Sequence, residues 1–251
     1  MMKLGLGIDT GGTYTDSVIY DFNENRVVAQ AKALTSKDDL SKGILESLRR
    51  LAQSMLKRVE LVSLSTTLAT NACVEGKDGR GALVLIGYDR DLYQRLKGEY
   101  GLPDLGDVII IDGGHGQQGR VLSEPDWAKL EQALDKTSDG TDAYGVVEYW
   151  GIRNSAFEQK AKDLIRRKTG KPVVCAHELS DEINSLRRAA TTLLNANLIN
   201  MTHALLKAVN TGLAQFGVTA PVMVVKGDGT LMSESFSLEH PVETLLSGPA
   251  S

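Results

Sequence analysis

One ten-residue stretch, residues 7–16, constrains the fold of this chain more than any other part of the sequence. It reads Gly-Ile-Asp-Thr-Gly-Gly-Thr-Tyr-Thr-Asp and joins two short apolar runs at residues 4–8 and 17–20. Two such runs around adjacent glycines predict a β-hairpin with a glycine turn. Because glycine has no Cβ, the backbone N–H groups of such a turn can approach an anion closely. The stretch therefore predicts a hairpin whose turn binds a phosphate group, with a plain turn as the alternative.

Side chains around the same turn add polar groups. Asp9 lies at the end of the first apolar run. Magnesium in proteins takes one or two carboxylates and keeps several waters, so we expect Asp9 to hold a magnesium ion. The candidate phosphate-binding residues of the turn are Thr10, Gly11, Gly12, Thr13 and Thr15.

The composition excludes several classes of protein. The chain has 251 residues, with 28 Lys and Arg against 32 Asp and Glu, which at roughly 150 residues per domain predicts one large domain or two small ones. It has no basic cluster for neutralising nucleic acid or an anionic membrane, and no apolar run near the roughly 20 residues that span a bilayer. Its two cysteines, Cys73 and Cys175, are far apart, which is typical of a reducing compartment. We therefore predict a cytoplasmic protein without nucleic-acid or membrane partners.

The order of the predicted elements indicates the kind of sheet. Three strands come first, ending with residues 26–33, and helices then alternate with strands at residues 61–64 and 82–86. A meander followed by alternating helices and strands predicts a mixed α/β sheet, antiparallel at one edge and parallel beyond it. Further strands are predicted at residues 108–111, 143–149, 172–175 and 221–225.

Two long helices are predicted from apolar spacing and from capping residues. The first begins at Asp38 or Asp39 and ends at Leu56. The second begins at Ser180, has acidic residues in its first turn, and ends near Gly217. Shorter helices are predicted at residues 88–97, 127–134 and 157–168.

Three further polar motifs stand at positions where ligands can bind. Residues 65–71, Ser-Thr-Thr-Leu-Ala-Thr-Asn, follow a strand and open a helix, where α/β sheets bind ligands. Residues 188–195, Arg-Ala-Ala-Thr-Thr-Leu-Leu-Asn, place polar side chains on one face of a helix. Residues 227–230, Gly-Asp-Gly-Thr, form a turn after the last strand. The structural alternatives are a helix cap, a solvated helix face and a plain turn.

Other signatures of nucleotide binding and catalysis are incomplete or absent. Residues 76–81 have the glycine spacing of a P-loop, but Ala82 stands where lysine is required. The sequence contains no dinucleotide fingerprint, zinc-peptidase motif or nucleophile elbow. Residues 112–115, Asp-Gly-Gly-His, are expected to form a loop, with His115 a minor candidate for metal binding or acid–base catalysis. Cys73 is more typical of a small buried residue than of a nucleophile.

The motifs near the N-terminus resemble those of the hydantoinase A/oxoprolinase family. Residues 7–16 are similar to the family's Gly-Ile-Asp-x-Gly-Gly-Thr-x-Thr-Asp start. Residues 65–71 resemble its Gly-Thr-Thr-x-Ala-Thr-Asn segment, with Ser65 in place of the glycine.

The later motifs continue the resemblance in the order of the family. Residues 188–195 resemble its Arg-x-x-Thr-Thr-x-x-Asn helix. Residues 227–233 are similar to its Ser-Asp-Gly-Gly-Leu-Met-Ser turn, with Gly227 and Thr230 as departures. Residues 246–250 are similar to its Leu-Ser-Gly-Pro-Ala stretch. Each motif alone is a weak signal, but five in order are specific.

The resemblance implies an α/β fold of the actin and sugar-kinase superfamily, with a ribonuclease H-like mixed sheet and an inserted α/β subdomain. Residues 1–75 would form the ribonuclease H-like start, residues 76–178 the subdomain, and residues 179–251 a long helix and final strand region. Family members carry a second Asp-x-Gly-Gly-Thr loop beyond the Ser-Gly-Pro-Ala stretch, and this sequence stops before it. We therefore expect a missing C-terminal half or a partner subunit to complete the ATP site.

The resemblance also implies an activity, which is the hydrolysis of a cyclic amide such as a hydantoin or an oxoproline-like ring. ATP and Mg²⁺ would serve to phosphorylate the carbonyl oxygen. The alternatives are an ATP-dependent carboxylase subunit for a small ketone, a sugar or metabolite kinase, and a non-catalytic nucleotide-binding subunit. The implied catalytic residues are Asp9, Thr66, Thr67, Asn71 and Asp228, and the implied substrate-side residues are Arg188, Thr192 and Asn195.

Overall fold

A computed structural model describes residues 3–36, 39–75 and 79–250. Asp38, Gly76 and Ser251, which the sequence predictions involve, lie outside the described residues. The chain separates into two compact units. Unit 1 consists of Met1–Lys77 and Met201–Ser251, and unit 2 consists of Asp78–Asn200.

The elements alternate along most of the chain. The described strands are β1 (Leu4–Thr10), β2 (Tyr14–Asp21), β3 (Arg26–Leu34), β4 (Val59–Thr66), β5 (Gly81–Ile86), β6 (Val108–Ile111), β7 (Gly114–His115), β8 (Val121–Ser123), β9 (Ala143–Glu148), β10 (Val173–Cys175), β11 (Val222–Val225) and β12 (Leu231–Ser233). The described α-helices are α1 (Leu40–Arg49), α2 (Gln53–Leu56), α3 (Leu68–Glu75), α4 (Arg90–Leu96), α5 (Trp127–Thr137), α6 (Ala156–Thr169), α7 (Ala176–Leu179), α8 (Ser185–Gln215), α9 (Glu234–Glu239) and α10 (Ser247–Ala250). Short 3-10 helices cover Lys97–Tyr100, Leu105–Asp107, Ser138–Gly140 and Pro241–Thr244.

Unit 1 contains a six-stranded mixed sheet in the order β12-β11-β4-β1-β2-β3. Strands β1, β2 and β3 form an antiparallel meander, whereas β4 and β11 run parallel to β1. This arrangement is the ribonuclease H-like sheet of actin-type lobes that the resemblance implied. Unit 2 is the inserted α/β subdomain, so the predicted fold class is confirmed.

The register of unit 1 brings three strand ends to one edge of the sheet. Asp9 of β1 pairs with Ser65 of β4, and Thr10 pairs with Thr66. Strand β11 is parallel to β4 on its other side, with Val224 opposite Leu64. The loops that leave the carboxyl ends of β1, β4 and β11 therefore begin at the same edge, which is where α/β sheets bind ligands.

The core of unit 1 explains why its helices form where they do. Asp39 caps α1 by accepting a hydrogen bond from the Ser41 amide, and Ile44 and Leu48 of α1 are fully buried. The predicted single helix ending at Leu56 is wrong, because α1 ends at Arg49 and Ala52 adopts an extended backbone before α2 begins. The buried apolar residues that complete this core are Leu4, Leu6, Ile8, Ile19, Leu51, Leu56, Val62, Leu64, Leu205, Leu206, Val209, Leu213, Val222 and Val224.

Unit 2 contains a four-stranded parallel sheet in the order β10-β9-β5-β6. All four residues of β6 and all six of β9 are buried, which is typical of a parallel sheet covered by helices on both faces. One face packs against α5 and α6 through residues such as Leu130 and Ile165. The other face packs against Tyr93 of α4 and against Leu186 and Ala189 of α8.

The long second helix begins later than its sequence predicts. Ser180 ends α7 instead of starting α8, and its amide donates to the carbonyl of Ala176. Helix α8 begins at Ser185, because the side-chain oxygen of Asn184 accepts hydrogen bonds from the amides of Leu186 and Arg187, both 3.1 Å. The predicted start at Ser180 is therefore wrong, since Asn184 supplies the cap.

The predicted loop around His115 contains a short hairpin. Strands β7 and β8 pair in antiparallel fashion, and the Gly116 amide closes the turn by donating to the Arg120 carbonyl at 2.9 Å. The expectation of a plain loop is therefore wrong. No helix in the described residues is long and apolar enough to cross a membrane.

Candidate active site

The turn between β1 and β2 lies at the edge where the strand ends of unit 1 meet. The Gly11 amide donates to the carbonyl of Tyr14 at 2.9 Å, which closes the turn. The amides of Gly12 and Thr13 make no hydrogen bond with any described residue. The turn therefore offers two backbone N–H groups to a ligand, which is the arrangement that anion-binding turns use.

Gly12 lies close to the side chain of Asn71. A Cβ atom at this position would lie 2.7 Å from Nδ2 of Asn71, in the first turn of α3. Asn71 also reaches Oγ1 of Thr67 at 3.5 Å. The structure thus brings together the turn of residues 10–14 and the predicted site residues Thr67 and Asn71.

Asp9 is oriented by a neighbouring strand. Its Oδ1 accepts a 2.8 Å hydrogen bond from the hydroxyl of Ser65, which is buried. Oδ2 of Asp9 accepts no hydrogen bond from the described residues. The half-buried carboxylate therefore has one oxygen fixed by the protein and one available to a cation.

Thr10 and Thr15 are both buried, but their hydroxyl groups differ. Oγ1 of Thr10 is buried and has no hydrogen-bond partner among the described residues. Leaving a buried hydroxyl unpaired costs about 1–3 kcal/mol, so an orphan at this position is a candidate ligand contact. Oγ1 of Thr15 instead pairs with Oγ1 of Thr35 at 3.0 Å, which ties β2 to the end of β3.

Thr66 connects the end of β1 to the segment that follows β4 by hydrogen bonds. Its hydroxyl donates to the carbonyl of Thr10 at 2.9 Å and accepts from the amide of Leu68 at 3.0 Å. The amide of Thr67 also donates to the Thr10 carbonyl, at 3.2 Å. These bonds cap α3 and fix its first turn beside the turn of residues 10–14.

A segment near residue 247 packs on the same loop. The hydroxyl of Ser247 donates to the carbonyl of Thr66 at 2.9 Å and accepts from its amide at 3.3 Å. The amide of Leu246 donates to Oγ1 of Thr70 at 3.1 Å, and Leu246 has a φ of 64°, which is unusual for leucine. Sequence reasoning noted the Leu-Ser-Gly-Pro-Ala stretch but did not place Ser247 in the site.

Asp228 follows β11 at the same edge of the sheet. It is exposed, and hydrogen bonds from the side chain and the amide of Thr230 lower the pKa of its carboxyl group. Lys226 contributes to the shift from 3.9 Å. Asp228 is therefore ionised at neutral pH and adds a second carboxylate to this edge.

A cavity of about 320 Å³ adjoins the turn within unit 1. Its lining includes Gly12, Asn71 and Met201, with Leu40 and Leu68 on the apolar side. The volume is in the range of small-molecule sites, which run from about 300 to 1,000 Å³. The turn therefore lies next to a space in which part of a ligand can be held.

The predicted substrate-side residues Arg188, Thr192 and Asn195 lie in unit 2 and are all buried. The guanidinium group of Arg188 donates to the backbone carbonyls of Glu148 and Tyr149, both at 2.9 Å, and to two carbonyls just before α8. Thr192 donates to the carbonyl of Arg188 at 2.7 Å. Their role toward a substrate stays a prediction.

Unit 2 also holds two histidine–glutamate pairs whose glutamates are fully buried. Glu148, fully buried, accepts from the amide of His115 at 2.6 Å and lies 2.8 Å from its Nδ1. Glu158, also fully buried, lies 2.5 Å from Nδ1 of His177. Its hydrogen bond raises the pKa of His177, whereas burial raises the pKa of Glu148. No sequence signal marks either glutamate, because each is one acidic residue in an otherwise ordinary element.

Unit 1 thus combines a ribonuclease H-like sheet, a glycine turn with two unpaired amides, and a carboxylate at the sheet edge. These features define an actin-type lobe with a candidate ligand-binding turn at the sheet edge. A family model for the hydantoinase/oxoprolinase N-terminal region matches residues 5–169, and a second model, for hydantoinase/oxoprolinase, matches residues 188–251. The chain belongs to the hydantoinase/oxoprolinase family.

Two curated proteins are similar over nearly the whole chain. Caprolactamase subunit alpha from Pseudomonas jessenii is 26% identical, over 98% of this chain and 38% of that protein. An uncharacterized protein from Methanocaldococcus jannaschii is 23% identical, over 100% of this chain and 39% of its own length. The chain therefore spans about two fifths of the length of the curated relatives it matches.

Two solved structures share the fold. The crystal structure of ATP-dependent caprolactamase from Pseudomonas jessenii matches with a TM-score of 0.79 and 25% identity, over 98% of this chain and 39% of that chain. The nucleotide-free structure of acetone carboxylase matches with a TM-score of 0.83, over 100% of this chain and 39% of that chain. At 17% identity, the second likeness concerns the fold alone.

Proposed function

We propose that this chain is the N-terminal part of an enzyme that uses ATP to hydrolyse a cyclic amide such as a hydantoin, an oxoproline-like ring or a lactam. The observation that carries the proposal is the turn of residues 10–14, with its unpaired amides at Gly12 and Thr13, next to the carboxylate of Asp9. The similarity to caprolactamase subunit alpha supports the amide chemistry.

The residues present fit ATP and magnesium. The orphan hydroxyl of Thr10 and the unpaired amides of Gly12 and Thr13 are donors, as phosphate oxygens require. A Cβ atom at Gly12 would lie 2.7 Å from Nδ2 of Asn71, so glycine keeps this part of the turn open. Oδ2 of Asp9 is a hard oxygen ligand of the kind that Mg²⁺ takes. When bound, magnesium and ATP supply the phosphoryl group that activates the carbonyl oxygen of the amide.

The residues of the chain would position the ligand and neutralise its charge. Ser65 fixes Oδ1 of Asp9 and leaves Oδ2 to hold the cation, which would limit the rearrangement needed on binding. Thr66 and Ser247 keep the first turn of α3 in place beside Gly12. We assign Thr67, Asn71 and Asp228 to the substrate side of this edge, and Thr15 to holding β2 against β3.

The test is a product assay on the complete enzyme, with all segments or subunits that its relatives contain. Hydantoin, 5-oxoproline and caprolactam are each supplied with Mg·ATP, and ADP, phosphate and the ring-opened product are measured together. The proposal predicts that all three products form in equal amounts and that Asp9→Asn slows their formation by about 100-fold or more.

The other outcomes separate the alternative functions. A phosphorylated metabolite without ring opening would show a kinase. Product formation that depends on bicarbonate would show a carboxylase. Nucleotide binding without any product would show a binding subunit, and each of these results would overturn the proposal.

A further inference from the structure

A second cluster of chemically reactive side chains lies in unit 2, where β10 ends and α7 begins. It consists of Glu158, Cys175 and His177. One oxygen, sulfur or nitrogen atom from each of the three lies within 4.8 Å of the other two. None of these residues belongs to the phosphate-binding turn.

Local structure explains why the three side chains converge. Cys175 is the last residue of β10, and His177 lies two residues later in α7, so the two leave the same strand end. Glu158 stands in the first turn of α6, and its Oε2 accepts from the amide of His177 at 3.0 Å. The thiol of Cys175 donates to the carbonyl of Glu158 at 3.4 Å. The strand end and the helix start are thus tied together at the cluster.

We propose that Glu158, Cys175 and His177 form a binding site for a divalent transition-metal ion of the zinc class. Zinc takes sulfur, nitrogen and oxygen ligands together, and three protein ligands leave the fourth tetrahedral position open. Magnesium and calcium are disfavoured because they require mostly oxygen ligands. The proposal does not depend on the amide chemistry proposed for the chain.

The surroundings of the cluster suit a metal site. Glu158 and Cys175 are fully buried, whereas the side chain of His177 is 25% exposed, so an ion can enter from the His177 side. Oε1 of Glu158, the oxygen that is not bonded to His177, accepts a hydrogen bond from the amide of Glu148 at 2.8 Å. This bond fixes the orientation of the carboxylate. Metal sites depend on such supporting hydrogen bonds, whose loss typically weakens binding 10- to 100-fold.

The charges also balance at the site. Nδ1 of His177 lies 2.5 Å from Oε2 of Glu158, so a nitrogen ligand and an oxygen ligand already face each other. A divalent ion bound to the Glu158 carboxylate and the Cys175 thiolate forms a neutral set. The thiol proton, and the proton of His177 when it is charged, pass to the solvent as the ion enters.

The test is a titration of the complete, chelator-treated protein with Co²⁺, followed by competition with Zn²⁺. Cobalt bound to a thiolate gives a charge-transfer band in the near ultraviolet, so the spectrum reports a sulfur ligand. We expect one equivalent of Co²⁺ per copy of this chain at the site, a thiolate band, and loss of that band when Zn²⁺ is added.

The two cysteines of the chain provide a matched pair of variants. Cys175→Ser is expected to remove the band, and Cys73→Ser, which changes a half-buried cysteine of unit 1, is expected to keep it. His177→Gln changes a partly exposed ligand and is expected to weaken Co²⁺ binding at least tenfold. It also keeps the test decisive if Cys175→Ser fails to fold.

Several results would overturn the proposal. The first is a wild-type protein that gives no thiolate band with Co²⁺. The second is a band that persists in Cys175→Ser or disappears in Cys73→Ser. The third is Co²⁺ affinity that His177→Gln leaves unchanged.

Discussion

The hydroxyl of Ser65 donates a 2.8 Å hydrogen bond to Oδ1 of Asp9, across the parallel pair β1 and β4. The two residues lie directly opposite each other in the register, although 56 residues separate them in sequence. The bond engages only Oδ1, and Oδ2 of Asp9 accepts no hydrogen bond from the described residues. A serine hydroxyl thus orients the carboxylate that we assign to magnesium.

Asp9→Asn is expected to reduce kcat/KM of the complete enzyme by about 100-fold or more. A neutral amide oxygen is a weaker ligand for Mg²⁺, and a 100-fold loss corresponds to about 2.7 kcal/mol of transition-state stabilisation. The unfolding transition should stay nearly unchanged, because the residue is only half-buried. Asp135→Asn, an exposed carboxylate of α5, is the control. Wild-type activity in Asp9→Asn would remove Asp9 from the metal role.

Ser65→Ala is expected to raise the Mg²⁺ concentration that gives half-maximal activity by about tenfold. The rate at saturating Mg²⁺ should stay closer to that of the wild type. The carboxylate of Asp9 would stay in place but lose the hydrogen bond that fixes its orientation. The measurement is activity as a function of Mg²⁺ at saturating ATP. An unchanged midpoint would show that Ser65 serves only the fold.

Gly12→Val is expected to abolish nucleotide binding in calorimetric titration of the complete protein. Its Cβ would lie 2.7 Å from Nδ2 of Asn71, and a branched side chain at this position would keep a phosphate from approaching the Gly12 and Thr13 amides of the proposed site. Gly106→Val is the matched control, since nothing lies within 4 Å of a Cβ at that glycine. Normal ATP binding by Gly12→Val would show that the turn has no ligand role.

Ser247→Ala is expected to destabilise the protein by about 1–2 kcal/mol, since it removes two hydrogen bonds to the buried backbone of Thr66. The free energy of unfolding in urea measures this loss. Ser235→Ala, an exposed serine of α9, should change it far less. Equal values for the two variants would contradict a fastening role for Ser247.

His177→Gln is expected to remove a pH-dependent part of the stability of the metal-free protein. The hydrogen bond with Glu158 raises the pKa of folded His177 above its unfolded value of about 6.5, with Glu178 adding to the shift and Lys162 opposing it. The stabilisation is therefore fully present below about pH 6.5 and is lost as the pH rises through the raised folded pKa.

The measurement is the unfolding free energy of both proteins between pH 5.5 and 8.5, in the presence of a chelator, a range of about one to two pH units on either side of the unfolded pKa. The advantage of the wild type should be largest at the acid end and should shrink toward the alkaline end. A difference that is constant with pH would mean that the proton on His177 does not contribute.

Sequence patterns predicted those parts of the fold that are determined by residues close together in the chain. The hairpin at residues 7–16 follows from two apolar runs around adjacent glycines, and the mixed sheet follows from the order of elements. The start of α8 could not be found in this way, because Ser180 and Asn184 are both good caps and only the structure shows which one is used.

The contacts that complete the candidate sites arise from long-range packing. Ser65 meets Asp9 through the register of two strands, and Ser247 meets Thr66 only after the chain has returned to unit 1. Glu158 meets Cys175 and His177 because α6 starts beside the end of β10. Neither the hydrophobic periodicity nor the composition of the sequence indicates any of these contacts.

The hydrogen bonds between Ser247 and Thr66 can form only late in the synthesis of the chain. Thr66 is added to the growing chain 181 residues before Ser247, and at about 5–20 residues per second the delay between the two is on the order of ten to forty seconds. During that interval the phosphate-binding turn and α3 lack their final fastening, although every residue of both has been made. A nascent chain arrested before residue 247 should therefore lack both hydrogen bonds between Ser247 and the backbone of Thr66.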